Sequence, residues 1–174
     1  MQVRKALPTD VDAVVAISRT RPKHFVDEGV GWIATSVTDS EGAVAVDDNK
    51  KVIGFLTWES NDVATELLWM ATLESAASYQ AGKRLLAYCF QQIDMSKRVF
   101  LRTATPHSVI DGTQFDGSAF FRTISYFEHM GFRQTSVERD FWRTGNHCLS
   151  MDLDKSKTPL LSGASVTYIP SQKG

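Results

Sequence analysis

Along the first half of the chain, short apolar runs typical of strands give way to apolar residues at helical spacing and then to strand-type runs again. Each change of pattern marks the boundary of a predicted element. A short strand over residues 2–6 precedes apolar positions at helical spacing, with Thr9 predicted as the N-cap of that helix. The pattern over residues 19–38 is irregular and indicates either a second, broken helix or a mobile segment. Apolar runs at residues 42–46, 51–59 and 64–72 alternate with polar turns, which predicts an antiparallel meander of three strands.

The second half of the pattern predicts a strand–helix–strand unit followed by another helix and two strands. One face of the helix in this strand–helix–strand unit carries Leu85, Leu86, Cys89, Phe90 and Ile93. The strand after it covers residues 98–103, and such a unit normally joins parallel strands by a right-handed crossover. A long loop at 104–117 leads to a helix at 118–130 that ends at Gly131, and the final strands are expected at 132–142 and 148–153.

Composition and charge limit the class of protein. The 174 residues are 43% hydrophobic and 22% charged, which is enough for one domain with its own core. The net charge of −1 argues against a nucleic-acid partner. No apolar run approaches the roughly 18 residues that cross a membrane, and no secretion signal is evident, so a cytoplasmic location without membrane partners is expected. The cysteines and histidines lack metal-ligand spacing, so no metal is expected.

The stretch from Glu66 to Leu86 carries the candidate chemistry. It combines an apolar strand, a carboxylate near the start of that strand, a turn of small residues and an amphipathic helix. Backbone amides at such a strand-to-helix junction can bind a phosphate group. Apolar neighbours would disfavour the charged form of the Glu66 side chain and so raise its basicity. A glutamate at a strand edge that simply faces water is the other interpretation.

The element order β-α-α-β-β-β-α-β-α-β-β resembles that of the GNAT superfamily of acyl-CoA-dependent N-acyltransferases over residues 2–153. The resemblance implies an α/β (α+β) fold with a mixed, mostly antiparallel twisted sheet of six to seven strands. About four helices would flank this sheet, and its fourth and fifth strands would splay apart. Residues 1–153 would form the acyltransferase domain, and the polar C-terminal tail at 154–174 could be a partner-docking or dimer arm.

The resemblance places the acetyl-CoA pyrophosphate loop on residues 77–82, where the family pattern is Arg or Gln, two residues, Gly, one residue, then Gly or Ala. Only the final glycine matches, and Gln80 replaces the middle one. A positive φ at Gln80 would cost about 1–3 kcal/mol, whereas an αR or β backbone would cost nothing. A plain helix N-terminus packed on the sheet is the alternative. The implied cofactor contacts are Met70, Ala71, Thr72, Ala77, Ser78, Tyr79, Gln80, Ala81, Gly82 and Lys83.

Two catalytic positions are also implied by the resemblance. Glu66 aligns with the general-base glutamate of some family members. The tyrosine that protonates the leaving CoA thiolate in many members corresponds to Phe127, which is instead expected beside the cofactor. Tyr126 is one residue earlier, about 100° around the helix, and could act only if the helix were rotated or shifted. Solvent could also protonate a thiolate whose pKa is about 8.5.

Candidates near the acceptor are less specific. His107, Asp111 and Asp116 in the long loop could contact an amine, and Trp58 and Trp69 could line one side of its groove. Ordinary loop turns and core packing are the competing interpretations. The basic residues at 19–24 are interpreted as a solvated turn.

The sequence therefore predicts an N-acetyltransferase that moves an acetyl group from acetyl-CoA to a small-molecule or peptide amine, directly and in a ternary complex. The altered loop and the missing tyrosine motivate an alternative, a catalytically inactive GNAT-like domain that acts as a CoA sensor or a protein-interaction module. A homodimer is left open.

Overall fold

The computed structural model of the protein describes residues 1–75 and 77–161. These residues form seven strands and four α-helices, and short 3₁₀ turns precede α1 and α4. In chain order the elements are β1 (Gln2–Lys5), α1 (Val11–Arg19), α2 (Asp27–Asp39), β2 (Glu41–Val46), β3 (Val52–Ser60), β4 (Ala64–Thr72), α3 (Ser78–Gln92), β5 (Arg98–Ala104), α4 (Phe120–His129), β6 (Phe132–Arg143) and β7 (Asn146–Leu153).

All seven strands belong to one sheet, in the order β1-β2-β3-β4-β5-β7-β6. Neighbouring strands run antiparallel except β4 and β5, which are parallel and are joined through α3. The predicted fold class is therefore confirmed, including the crossover between the fourth and fifth strands.

Helices cover both faces of the sheet, and the alternation of side chains along β2 and β3 separates two cores. Ala43, Ala45 and Leu56 face α3 and α4, where they pack in the larger cluster. Val44 and Phe55 point the other way and pack against α1 and α2. Each strand of this pair is buried on both faces, which explains why its sequence is a continuous apolar run rather than an alternating one.

The two central strands part halfway along their length. Pairing between β4 and β5 begins at Ala64 and Arg98 and ends at Leu67 and Leu101. Beyond that point β4 continues to Thr72 beside β3, while β5 continues to its end beside β7. This separation opens the sheet at its centre, as the sequence predicts, and it positions the candidate active site.

The start of α1 differs from the prediction. Asp10, rather than Thr9, precedes the helix, and its carboxylate forms no cap bond to it. The Asp10 carboxylate instead accepts hydrogen bonds from Arg4 Nη1 and Nη2, at 2.7 and 2.8 Å, and from the Leu7 backbone N–H at 2.8 Å. These bonds, those from Arg4 above all, hold the pKa of Asp10 below its ordinary value. An ion pair between residues six apart thus ties β1 to the start of α1, which helical spacing alone does not reveal.

Replacing Asp10 with asparagine is expected to lower the free energy of unfolding at pH 7 by about 1–3 kcal/mol, because Asp10 is 6% exposed and Arg4 would lose its buried partner. Since the folded-state pKa is lowered, this stabilisation is present above about pH 4 and is lost as the pH falls through the lower folded value. Urea unfolding at pH 7 and pH 3 measures both effects. Asp48→Asn, at an exposed ion pair with the N-terminus, is the control and should leave the midpoint unchanged.

The first residues of the predicted tail, up to residue 161, pack against the end of α4. The Asp154 backbone N–H donates to the Gly131 carbonyl at 2.9 Å, and Thr158 is buried. Gly131 has a φ of +95°, and a Cβ there would lie 2.7 Å from Thr158 Cα, so the chain needs glycine at this close approach. The domain boundary at 153 stays a prediction, and the proposed docking arm falls mainly on residues 162–174, outside the described residues.

Candidate active site

A cavity of about 280 Å³ lies where β4 and β5 separate. Leu67–Met70 of β4 and Leu101–Ala104 of β5 form its floor, and α4 covers one side. The other side is closed by the α1–α2 connection, the first half of α2 and the end of the β6–β7 hairpin. The side chains from these surrounding parts are His24, Phe25, Val26, Glu28, Trp32, Phe115, Phe120, Thr123, Phe127, Trp142, Arg143 and Asn146.

The predicted cofactor residues of β4 lie along the separated part of the strand. Met70 lines the cavity, as does Phe127 from α4. Ala71 and Thr72 follow at the end of β4, opposite Phe55 and Gly54 of β3. The Thr72 carbonyl already accepts a hydrogen bond from Arg21 Nη2 at 2.7 Å, so this backbone group has a protein partner. Arg21 is therefore bonded to the end of β4 rather than free in a solvated turn, although it does not line the cavity.

The residues assigned to a pyrophosphate loop lie mostly inside a helix. Ala77 is the N-cap of α3, and residues 78–82 form its first turns. The Ser78 hydroxyl closes the preceding turn: it donates to the Leu73 and Ser75 carbonyls and accepts from the Ser75 N–H. Gln80 consequently has αR backbone, which removes the predicted strain, and its side chain is exposed.

The helix N-terminus itself remains suited to an anion. Among the described residues, the first bond of the α-helical type runs from the Ala81 N–H to the Ala77 carbonyl, and the Tyr79 amide precedes it. Lys83 is half-buried in the following turn. The neighbouring Arg84 turns away from this end of α3 and donates to the Met1 carbonyl at 2.6 Å.

Tyr126 faces α3 and does not line the cavity. Its ring packs edge-on against Tyr79, with centroids 5.9 Å apart. Its hydroxyl is buried against Gly82, and among the described residues it has no hydrogen-bond partner. Burial raises the pKa of Tyr126 well above its ordinary value. Tyr126 and Phe127 therefore point in different directions from the helix, as predicted, and it is Phe127 that faces the cavity.

Gly82→Ala should destabilise the fold by about 1–2 kcal/mol, because a Cβ would lie 2.7 Å from Tyr126 Oη and 2.9 Å from Met70 Cε. Tyr126→Phe removes the nearest atom and the unpartnered hydroxyl, so this change alone should leave stability equal or higher. In the double variant the cost of alanine should shrink by at least about 0.5 kcal/mol. Chemical denaturation of the four proteins measures this coupling, and strictly additive effects would contradict the contact.

Glu66 has a charged rather than an apolar neighbour. Arg102 donates to both of its carboxylate oxygens, Nε at 2.7 Å and Nη2 at 2.6 Å. These bonds raise the pKa of Arg102. Arg102 lines the cavity, whereas Glu66 lies behind it. The expectation of apolar neighbours for Glu66 is thus wrong. Arg102 on β5, the parallel neighbour of β4, places its guanidinium group between the Glu66 carboxylate and the cavity.

His24 is a cavity residue, although its sequence neighbourhood predicts a solvated turn. Its ring stacks at a tilt on Phe120, with centroids 4.8 Å apart. Burial, and secondly the charge of Arg21, lower its pKa below the ordinary value, so the imidazole is neutral at pH 7. Nothing in the local pattern around His24 distinguishes it, because Phe120 is distant in the chain.

The other residues that could contact the acceptor lie in different parts of the structure. Trp69 lines the cavity as suggested, but Trp58 is buried and donates to Glu41 Oε2 at 2.8 Å. The register between β3 and β4 shifts at Thr57 and Trp58, which breaks the simple correspondence between the two tryptophans. His107 lines a separate surface cavity. Neither aspartate of the long loop lines the cavity between the central strands.

Membrane-spanning helices and metal clusters are both absent from residues 1–75 and 77–161. No helix in these ranges is both long and apolar enough to span a membrane. The same ranges contain no cluster of three or more histidine, cysteine, aspartate or glutamate side chains placed to hold a metal ion.

Solved structures with the same architecture exist, although no known family profile matches the chain and no curated protein is significantly similar in sequence. An acetyltransferase of the GNAT family from Desulfovibrio desulfuricans superimposes with a TM-score of 0.69 at 19% identity, covering 87% of this chain and 97% of its own. An aminoglycoside 6'-N-acetyltransferase complexed with coenzyme A gives 0.65 at 16% identity, covering 87% and 96%.

A ribosomal-protein-alanine N-acetyltransferase from Brucella melitensis gives a TM-score of 0.62 at 15% identity, covering 87% of this chain and 98% of its own. The predicted resemblance is therefore confirmed at the level of structure, and this chain has the GNAT acetyltransferase fold.

Proposed function

We propose that the protein is an N-acetyltransferase that transfers the acetyl group of acetyl-CoA directly to a primary amine in a ternary complex. The observation that carries this proposal is the end of β4–β5 pairing at Leu67 and Leu101, which opens a cavity between the strands of a GNAT fold. Acetyl transfer by proteins with this fold supports it, and so does the neighbour complexed with coenzyme A.

The residues available for acetyl-CoA form a continuous path. Beyond Leu67 the backbone of β4 no longer pairs with β5, so those backbone groups of the Met70–Thr72 stretch that point away from β3 can hydrogen-bond the pantetheine arm and polarise the thioester carbonyl. We assign the pyrophosphate to the start of α3, at residues 77–82. The Ser78 and Ala81 amides there already donate to the Ser75 and Ala77 carbonyls, so the Tyr79 amide and the positive end of the α3 dipole would attract the phosphates. Lys83 adds one positive charge, and Phe127 packs beside the arm.

The transfer step needs a neutral amine. Its nitrogen attacks the thioester carbonyl carbon, the C–N bond forms as the C–S bond breaks, and CoA leaves as a thiolate. The ammonium passes one proton to a base before attack, and the nitrogen loses a second proton as the amide forms. Once the CoA thiolate is protonated, one proton is released overall. We assign protonation of the thiolate to solvent, because a thiol with a pKa of about 8.5 leaves readily and the Tyr126 hydroxyl faces α3.

Glu66 is our first candidate for the base, acting through a water. Its two oxygens already accept from Arg102, so a substrate ammonium cannot take the same positions, and a water on a remaining lone pair must relay the proton. His24 is the second candidate because it lines the cavity and is neutral at pH 7. The two assignments predict different variants to be inactive.

The test combines calorimetry with acetyl-CoA and a thiol-release assay over a panel of primary amines. Binding together with amine-dependent thiol release supports the transferase. Binding without release from any amine favours the alternative, a CoA sensor or interaction module. Absence of binding would contradict the transferase and the CoA sensor, and would favour a purely structural or protein-interaction role.

A further inference from the structure

Aromatic side chains dominate the part of the cavity that faces α2 and the β6–β7 hairpin. We call this part the aromatic pocket, and its members are His24, Phe25, Trp32, Phe115, Phe120 and Trp142. Several of these rings are in contact: Phe115 lies 5.6 Å from Phe120 between centroids, and Phe25 meets Trp69 edge-on at 6.2 Å. The rings come from four separate stretches of the chain, so the fold, and not one amphipathic segment, brings them together.

Two tryptophans stand at the mouth of the aromatic pocket with much of their surface in solvent. Trp32 on α2 is 61% exposed, and Trp142 at the end of β6 is 41% exposed. Arg143 Nη2 donates to Glu28 Oε2 at 3.4 Å, which joins the β6 end to α2 across the same mouth. Large apolar side chains that remain exposed beside a cavity indicate a ligand site rather than core packing.

The charges of the lining exclude one class of acceptor. Among the described residues the lining holds a single carboxylate, Glu28, and that group is paired with Arg143. The lining also holds Arg102 and Arg143, so its formal charge is positive. A polycationic acceptor would meet no free carboxylate there, because Glu28 is paired with Arg143 and Glu66, behind the wall, is paired with Arg102.

We infer that the acceptor is a primary amine with one positive charge, carried on an aromatic or similarly bulky apolar group. This inference rests on the proposed function, because it assigns the acceptor of that same site. The apolar group would pack among the rings of the aromatic pocket, where edge-on and offset contacts are favourable. The ammonium, before it loses its proton, would be attracted by the face of a tryptophan.

Equilibrium binding tests this inference without requiring turnover. Trp32, Trp69 and Trp142 all line the cavity, so tryptophan fluorescence reports its occupation. With phenethylamine, ethylamine and spermidine as probes, we expect phenethylamine to bind at least about tenfold more tightly than either of the others. Equal affinity for the three amines, or a preference for spermidine, would overturn the inference.

The matched variants are Trp32→Ala and Phe121→Ala. Both remove an exposed aromatic side chain from a helix, but Phe121 lies outside this cavity. For phenethylamine, we expect Trp32→Ala to raise both the dissociation constant and KM by about tenfold with kcat changed less than about twofold, and Phe121→Ala to change neither constant. An unchanged affinity in Trp32→Ala would overturn the inference.

Turnover separates the two proposals. If phenethylamine binds through Trp32 but no amine releases thiol from acetyl-CoA, the transferase proposal fails and the aromatic-amine site stands. If thiol is released best with spermidine or ethylamine, the transferase proposal stands and the aromatic-amine site fails.

Discussion

Replacing Glu66 with glutamine is expected to lower kcat for acetyl transfer about 100-fold at saturating acetyl-CoA, because a positioned general base contributes about that much or more. Glutamine keeps the shape of the side chain and can still accept from Arg102, but its amide cannot take up a proton. The measurement is kcat across pH 6 to 9. Turnover that is unchanged over this range would remove Glu66 as the base.

The loss of an ion pair must be distinguished from the loss of a base. Arg98 and Asp152 offer a matched pair, with Nε and Nη2 of Arg98 donating to the two Asp152 oxygens at 2.8 and 2.7 Å. This pair lies at the other end of β5, away from the cavity. Asp152→Asn should therefore cost a similar amount of stability and leave kcat unchanged.

The variant His24→Gln tests the second candidate for the general base, the His24 imidazole. If Glu66 accepts the proton, kcat for His24→Gln should stay within a few-fold of the unmodified protein. A loss of about 100-fold in His24→Gln together with an active Glu66→Gln would transfer the role to the imidazole.

Gly117→Ala is expected to lower the free energy of unfolding by about 2–3 kcal/mol. A Cβ there would collide with the Ser108 carbonyl oxygen, and it would lie 2.6 Å from the Thr105 carbonyl oxygen and 2.7 Å from the Ser108 nitrogen. These are backbone atoms that cannot swing aside. The Thr105 N–H is bonded to the His147 carbonyl, and the Gly117 N–H itself donates to the Ser108 carbonyl.

Gly31→Ala is the matched control, since it is the same chemical change with nothing within 4 Å of the new Cβ. Gly31 lies inside α2, so alanine should raise stability by about 0.5–1 kcal/mol. Urea unfolding of both variants measures whether each change lowers or raises the free energy of unfolding. A destabilisation of less than about 0.5 kcal/mol in Gly117→Ala would contradict the close packing of the loop that carries Phe115 into the cavity wall.

Local pattern is sufficient to predict most of the sheet, whereas the parting of its fourth and fifth strands is expected only from the family resemblance. β4 runs from Ala64 to Thr72 as predicted, because its apolar run is bounded by polar turn residues. The local pattern does not predict α2 correctly. Gly29 and Gly31 make the segment look broken, yet it forms one helix over Asp27–Asp39, since burial of Val30, Ile33 and Val37 outweighs the low helix propensity of glycine.

The site itself is only partly accessible to sequence reasoning. Met70 and Phe127 line the cavity, and the family resemblance, rather than local spacing, is what places them there. The pairing of Arg102 with Glu66 depends on the β4–β5 register, which no local spacing records. His24 and Trp142 reach the cavity from a connection and a hairpin end, where periodicity carries no information about direction.

A calorimetric titration of acetyl-CoA into the full-length protein tests the central claim, that the gap between β4 and β5 is a binding site for this thioester. We expect saturable heat with one site per chain, and complete competition by free CoA. No heat at concentrations up to about 1 mM, together with an unchanged melting temperature, would contradict it.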